Sequence, residues 1–334
     1  MEKRIGEFEL IDRLSNRLNK LSSKKIIGIG DDCAVIPYSR TEYKLLTVDV
    51  QVENRHFLKT MAPADIGKRA VVVAVSDIAA MGGKPEYILV SLVLLSNTKS
   101  DYMDKIYDGI STACKIYGTD VIGGNISTGR QMIIDIFVIG RVLKKNLITR
   151  SGAKTGDKIL VTGTLGDANL GRQILKGAKH DFNNVGSDYL ISRFVNPTAR
   201  VKVVEVMANT GYLTSMIDLS DGLSSDIGHI CVSSHVGCLI YEDKLPVSPQ
   251  AMNFIKIKKL SKTEIALNGG EDYELLFSVK PNYIDRLKAL VKSKTNTVLT
   301  EIGEITEKST GMKLIKKSGQ KQKLIAKGWD HLKK

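Results

Sequence analysis

Acidic residues recur in this chain where apolar runs end, and their placement is the first hint of chemistry. Asp31 and Asp32 stand side by side in "GIGDDCAVI". Asp49 closes "LLTVDV", and Asp77 interrupts "VVVAVSDIAAM". Asp218 and Asp221 straddle a strand-to-helix junction in "MIDLSDGLSSD", and Glu271 with Asp272 follows a glycine pair in "NGGEDYELLF". Two carboxylates about 5 Å apart repel by roughly 3 kcal/mol at an effective dielectric of about 20. Single acids have ordinary explanations: Ser220 or Asp221 suits a helix N-cap, and Gly-Gly-Glu-Asp suits a turn. Asp77 is harder to explain, because burying an unpaired carboxylate is costly. Read as a set, the acids converge on divalent cations, which take the place of basic partners. Hard carboxylate oxygens suit magnesium, which combines a few of them with water and substrate phosphates. Asn125, in "VIGGNIS", fits either a metal shell or the exit of a strand.

These residues need elements to hold them. Apolar spacing from Gly6 to Leu21 predicts an amphipathic helix. "PADIGKRAVVVAVSDIAAMGG" has proline at its start and Gly82-Gly83 at its end, a helix with its stop signals. "PEYILVSLVLL", "DVIGG" and "MIIDIFVIGRVL" read as strands, and "SDYMDKIYDGISTACKIYG" as a helix. A polar connector from 147 to 157 divides the chain into residues 1–148 and 149–334. Beyond it, "KILVTGTLGDANLGRQIL" reads as strand, glycine turn and helix, and "PTARVKVVEVMANTG" as a helix opened by Pro197. "TSMIDLSDGLSSDIGHI" is a strand entering a helix, and "GCLIYE" and "YELLFSV" are strands. Strands and helices mix without strict alternation in both halves, which predicts two α/β or α+β units.

The totals exclude several classes. The 334 residues are 43% hydrophobic and 25% charged, with no apolar stretch long enough to span a membrane. Four scattered cysteines and a start without an apolar segment suit the cytoplasm. Net charge is +13, and residues 280–334 carry fourteen Lys/Arg against five Asp/Glu. With only 6% aromatics there are few base-stacking platforms, so this reads as solvated surface rather than a nucleic-acid site. The rival reading, a basic nucleic-acid-binding protein, requires steeply salt-dependent duplex binding. His229, Cys231, His235 and Cys238 lack standard zinc spacing. Cys33 beside two acids is a poor thiolate, and "VTGTLGDANLG" lacks the Gly-Lys-Ser/Thr of a phosphate loop.

Taken in order, "GEFELIDRL", "GIGDDCAVI", "TVDVQVENRHF", "VSDIAAMGGKPEY", "VIGGNIS", "TRSGAKTGDKILVTGTLGDA", "IDLSDGLSSDIGHI", "NGGEDYELLF" and "KGWDH" run nearly end to end. This series resembles the thiamine-monophosphate kinase family, within the superfamily of aminoimidazole ribonucleotide synthetase, selenophosphate synthetase and a hydrogenase maturation protein. The resemblance implies a two-domain α/β fold whose N-terminal domains pair into a dimeric β-barrel. It implies ATP-dependent phosphorylation of thiamine monophosphate to thiamine diphosphate by a homodimer. Carried over, the magnesium ligands are Asp32, Thr47, Asp49, Asp77, Asn125, Asp218 and Asp221. Tyr107, Gly124, Asn125, Arg150 and Ser220 contact ATP, and His56, Glu271 and Trp329 contact the thiamine phosphate. Such transfer is positioning plus charge neutralisation, so no side-chain nucleophile is needed. Arg150 suits bidentate phosphate binding. Trp329 suits a face for a cationic ring or a tail anchor, and His56 either bonds phosphate or caps a turn. Some relatives carry Asp at position 125 and others Thr at position 48, so Asn125 and Val48 depart from the pattern. A purine-pathway synthetase is the nearest enzymatic rival, against which "GGED" and "KGWDH" speak. Selenophosphate synthesis calls for a reactive Cys before Gly28, and hydrogenase maturation for a C-terminal Cys. Neither stands here.

Overall fold

A computed structural model describes residues 6–18, 26–177 and 186–328. The first sheet holds β1 (Ala34–Pro37), β2 (Glu42–Val52), β3 (Lys84–Leu94), β4 (Asp120–Thr128) and β5 (Ile133–Leu143). Their order is β1-β2-β5-β3-β4. Only β3 and β4 run parallel, and α3 (Ser100–Tyr117) provides the crossover that a parallel pair requires. The second sheet contains β6 (Lys158–Thr162), β7 (Leu213–Asp218), β8 (Gly237–Tyr241), β9 (Leu275–Val279), β10 (Leu299–Thr306), β11 (Met312–Ile315) and β12 (Lys321–Lys323). Its order is β12-β11-β8-β10-β6-β9-β7. Around it lie α4 (Asp167–Lys176), α5 (Ser187–Val195), α6 (Val201–Ala208), α7 (Leu223–Ser234), α8 (Pro249–Lys258), α9 (Lys262–Asn268) and α10 (Ile284–Thr295).

One helix explains how the halves meet. α2 (Pro63–Ala80) starts on a proline whose fixed φ suits the first turn. Its Val/Ala run would suit a strand, but it is too long for one and is buried on every side. It packs on β2 and β5 in one direction and on β7, α5 and α6 in the other. The largest apolar core therefore runs through it, from Val35 and Val72 to Phe277 and Val291. α3 crosses α2 at glycines: a Cβ on Gly67 would stand 2.0 Å from the Ile106 carbonyl oxygen. A Cβ on Gly109 would stand 1.8 Å from that of Ala64, so only glycine allows this approach.

Two expectations change. The N-terminal helix, α1, spans Glu7–Ser15 rather than reaching Leu21, which lies outside the described residues. Ser15 and Asn16 end its good helix formers. The helix expected from Pro197 begins at Val201. Arg200 leaves helical geometry to bond Glu274, and the Ala199 N–H donates to the Tyr117 hydroxyl. Among the described residues both sheets are open.

Candidate active site

Three stretches far apart in sequence deliver carboxylates to one point. Asp32 lies just before β1, Asp77 on α2 and Asp218 at the end of β7. One oxygen from each lies within 4.8 Å of the others. α2 holds the group together from its last turns. Ser76 Oγ donates to Asp218 Oδ2 at 2.6 Å, and Asp77 Oδ2 accepts from Thr47 Oγ1 at 2.6 Å. Thr47 and Asp49 face α2 from the inner side of the first sheet, paired with the buried Val138 and Ile136.

Charge is unbalanced here. Burial first, then Asp218 and Asp32, push the Asp77 carboxyl well above its usual range. Asp218 rises to about 7, through burial and then Asp32. Asp49 rises to about 6 through burial. Among the described residues, Arg150 is the one cation bonded to the group. Its Nε and Nη2 donate to Asp32 Oδ1 at 3.1 and 2.5 Å, and its backbone N–H donates to Asp31. The expectation that the acids lack basic partners therefore needs correction: Asp32 pairs with a residue 118 positions away. Even so, Asp32 Oδ2 is buried with no hydrogen-bond partner. Cys33, next to it, is buried, and burial followed by Asp77 raises its thiol well above the usual range.

A cleft of about 310 Å³ opens beside the cluster, lined by Asp49, His56, Ser220, Asp221 and Glu271 among others. His56 Nδ1 accepts the Val52 N–H at 2.9 Å. That leaves Nε2 to carry the proton of a neutral imidazole. Ser220 and Asp221 precede α7, whose N-cap is Gly222. Neither is its N-cap, and Asp226 Oδ2 accepts the Gly222 N–H instead. The "GGED" segment continues through four residues with separate tasks. Glu271 accepts from Arg69 at 2.9 Å, and Asp272 accepts from the N–H groups of Gly166 and Ala168 at the start of α4. Tyr273 is buried, and Glu274 is held by Arg193 and Arg200. Glu271 and Tyr273 both have positive φ, 68° and 51°, a strained conformation for residues with a Cβ.

Other expected site residues lie elsewhere. β4 is the edge strand beyond β3, and Asn125 pairs with Ser91, which in turn pairs with Asp135. That row is on the outer face, opposite Asp49. Gly124 and Asn125 line a separate cavity of about 330 Å³ with Val48, Leu89, Asp135 and Phe137. Tyr107 is exposed on α3. Trp329 lies outside the described residues.

Sequence reasoning missed several members. Asp226 and His229 join Asp221 in a second trio whose atoms lie within 4.8 Å. The acid in "LSSD" was a signal, but its five-residue spacing from Asp221 hides the shared site. Burial and then Arg150 lower His229 to about 4. Arg55, Arg172 and Lys327 add positive charge to the cleft, and Asn169 and Asn268 add amides.

The family model for the N-terminal domain of AIR synthase related protein matches residues 30–142, and that for its C-terminal domain matches 154–314. The thiamine-monophosphate kinase of Aquifex aeolicus (strain VF5) is 35% identical over 331 residues, spanning 98% of this chain and 99% of that protein. The thiamine-monophosphate kinase of Escherichia coli (strain K12) is 34% identical over 326 residues, 98% of each. Among solved structures, AaThiL complexed with AMPPCP and TMP aligns with a TM-score of 0.83 at 34% identity, covering 98% of this chain and 97% of that one.

Proposed function

The chain belongs to the thiamine-monophosphate kinase family of AIR synthase related proteins, and we propose how its site performs that reaction. It transfers the γ-phosphoryl group of ATP to thiamine monophosphate. A phosphate oxygen of the acceptor forms the new P–O bond, the bond between the β and γ phosphates breaks, and ADP leaves with thiamine diphosphate as the product. The observation that carries the reading is the under-neutralised trio of Asp32, Asp77 and Asp218 beside a cleft edged with cations.

Magnesium fits this donor set. The orphaned Asp32 Oδ2 and the raised Asp77 and Asp218 carboxyls suit a divalent cation. Several ions would be shared among these donors. Asp32, Asp77, Asp218 and Asp49 would hold the central charge, with Thr47 and Asp221 as further ligands, and Asn125, on the other face of the sheet, would serve a separate ion. A bound magnesium ion supplies neutralising charge to the phosphates of both substrates. The chain's own groups orient them. His56 Nε2 donates to a phosphate oxygen of the thiamine phosphate, and Arg55, Arg172 and Lys327 add positive field in the same cleft. Glu271 offers a carboxylate to the cationic thiazolium or the aminopyrimidine, and Trp329 offers a ring face. Arg150, Ser220, Gly124, Asn125 and Tyr107 serve ATP, Arg150 by exchanging Asp32 for a phosphate.

A homodimer completes the account. The outer face of the first sheet is apolar and open, with Val48 60% and Val50 42% exposed, and Asn125 lies on it next to Gly124. A second copy packed there would build a barrel from two sheets and bring those residues to an interface. Val48→Arg should therefore yield monomers by light scattering, and an unchanged dimer would contradict this packing. Domains of residues 1–148 and 149–334 and a cytoplasmic location belong to the same proposal. No described helix is long and apolar enough to cross a membrane.

Purified protein given ATP, magnesium and thiamine monophosphate should form thiamine diphosphate and ADP in equal amounts. Aminoimidazole-pathway and selenide substrates should give none. Turnover of those substrates, with no thiamine diphosphate formed, would overturn the reading.

A further inference from the structure

Arg69 is fully buried on α2, which an unpaired cation would not tolerate. Three of its nitrogens reach three different segments. Nε donates to the His56 carbonyl at 3.1 Å, and Nη2 donates to Glu271 Oε1 at 2.9 Å. Nη1 donates to the Phe194 carbonyl near the end of α5, where a helix carries unsatisfied carbonyls and partial negative charge. The guanidinium also lies 4.5 Å from the Phe194 ring centroid and 5.7 Å from that of Tyr273. His56 and Glu271 are 215 positions apart in sequence, yet one side chain holds both at the same end of the cleft.

The Glu271 segment needs such a hold. Glu271 and Tyr273 have positive φ, so relaxed backbone geometry would move the carboxylate. Asp272 anchors the segment to α4, and Arg69 anchors it to α2 and to the His56 loop. The same helix carries Asp77 two turns further on, about 12 Å along its axis. A lysine would keep the charge but not the fork that serves three acceptors at once.

We infer that Arg69 is a positioning residue, which sets His56 and Glu271 at the spacing that thiamine monophosphate requires. It acts through both of them and does not touch ATP. The inference rests on the reading of His56 and Glu271 as thiamine phosphate contacts.

Michaelis constants for both substrates, measured in Arg69→Lys, Arg69→Met, Glu271→Gln and the Arg69→Met/Glu271→Gln pair, test it. Arg69→Met should raise the KM for thiamine monophosphate about tenfold or more, with the KM for ATP within about twofold of the parent. Arg69→Lys should raise the first constant by a smaller factor. The double variant should fall well short of the product of its two single effects. Should Arg69→Met fail to fold, Arg69→Lys carries the test, read against its melting temperature. An unchanged thiamine monophosphate KM in Arg69→Lys would overturn the inference, as would equal rises in both constants or fully multiplicative effects. An unchanged KM in Glu271→Gln alone would instead remove the assignment of Glu271 as a substrate contact, and the inference with it.

Discussion

Asp218 and Glu274 are near neighbours with opposite fates. Asp218 ends β7, and its strand partner Leu275 directly follows Glu274. Both are almost fully buried, at 3% and 1% exposed. Around Asp218, burial and Asp32 outweigh the Ser76 hydroxyl and Arg150, and its carboxyl rises to about 7. Around Glu274, burial also pushes upward, but Arg200 and Arg193 outweigh it and hold the carboxyl below its ordinary value. Arg200 Nε donates to Glu274 at 2.6 Å, Arg193 Nη2 at 2.7 Å and Thr162 Oγ1 at 2.5 Å. Glu274 is satisfied by the fold. Asp218 and its companions have too few cationic side chains around them to balance their charge. Depth alone does not distinguish a structural carboxylate from a functional one; the local charge balance does.

The strongest way to break this contrast is to neutralise each acid in turn. Asp218→Asn should lower turnover by about a thousandfold or more, because a ligand for the phosphate-neutralising charge is lost. The fold should survive, since one repelling charge has left a buried cluster. Near-normal turnover at saturating magnesium would refute the assignment. Glu274→Gln should do the reverse: it strands two guanidiniums and costs about 3–5 kcal/mol of stability in denaturant unfolding. A loss under about 1 kcal/mol would show that Glu274 is not the structural counterpart described here.

A gentler test uses pH. The raised carboxyls of Asp49 (about 6) and Asp218 (about 7) bind protons more tightly in the folded state. Their contribution to metal-free stability is full below about pH 4, near the ordinary aspartate value, and is lost as pH rises through 6 and 7. Glu274 has the opposite sign, contributing above the ordinary glutamate range and losing that contribution on acidification. Magnesium competes with protons for the first group. The rise in melting temperature on adding magnesium should therefore be larger at pH 8 than at pH 6. An equal rise at both values would place the ion elsewhere.

Much of this was legible in the sequence for definite reasons. α2 was readable because Pro63 and Gly82 bracket it, and Asp77 stood out because its neighbours are apolar. Asp49 and Asp218 were visible as acids closing apolar runs, although β2 continues past Asp49 to Val52. Arg69 was not, since a cation early in a helix reads as solvent-facing, and only the packing of β7, α5 and α6 on α2 buries it. Arg150 and Asp32 meet through the tertiary fold alone. The outward position of Asn125 was hidden because its face depends on its register with β3, which shifts between Ile88 and Leu89. α10 escaped notice because lysines interrupt its apolar period, and α9 because seven residues are too few to show one.

Crystals grown with manganese in place of magnesium and a non-hydrolysable ATP analogue offer the most direct test of the central claim, through anomalous scattering. Peaks within coordination distance of Asp32, Asp77 and Asp218, with the analogue's terminal phosphate against them, are the predicted result. An ordered analogue with no peak at those carboxylates, or with its phosphates on another surface, would contradict it.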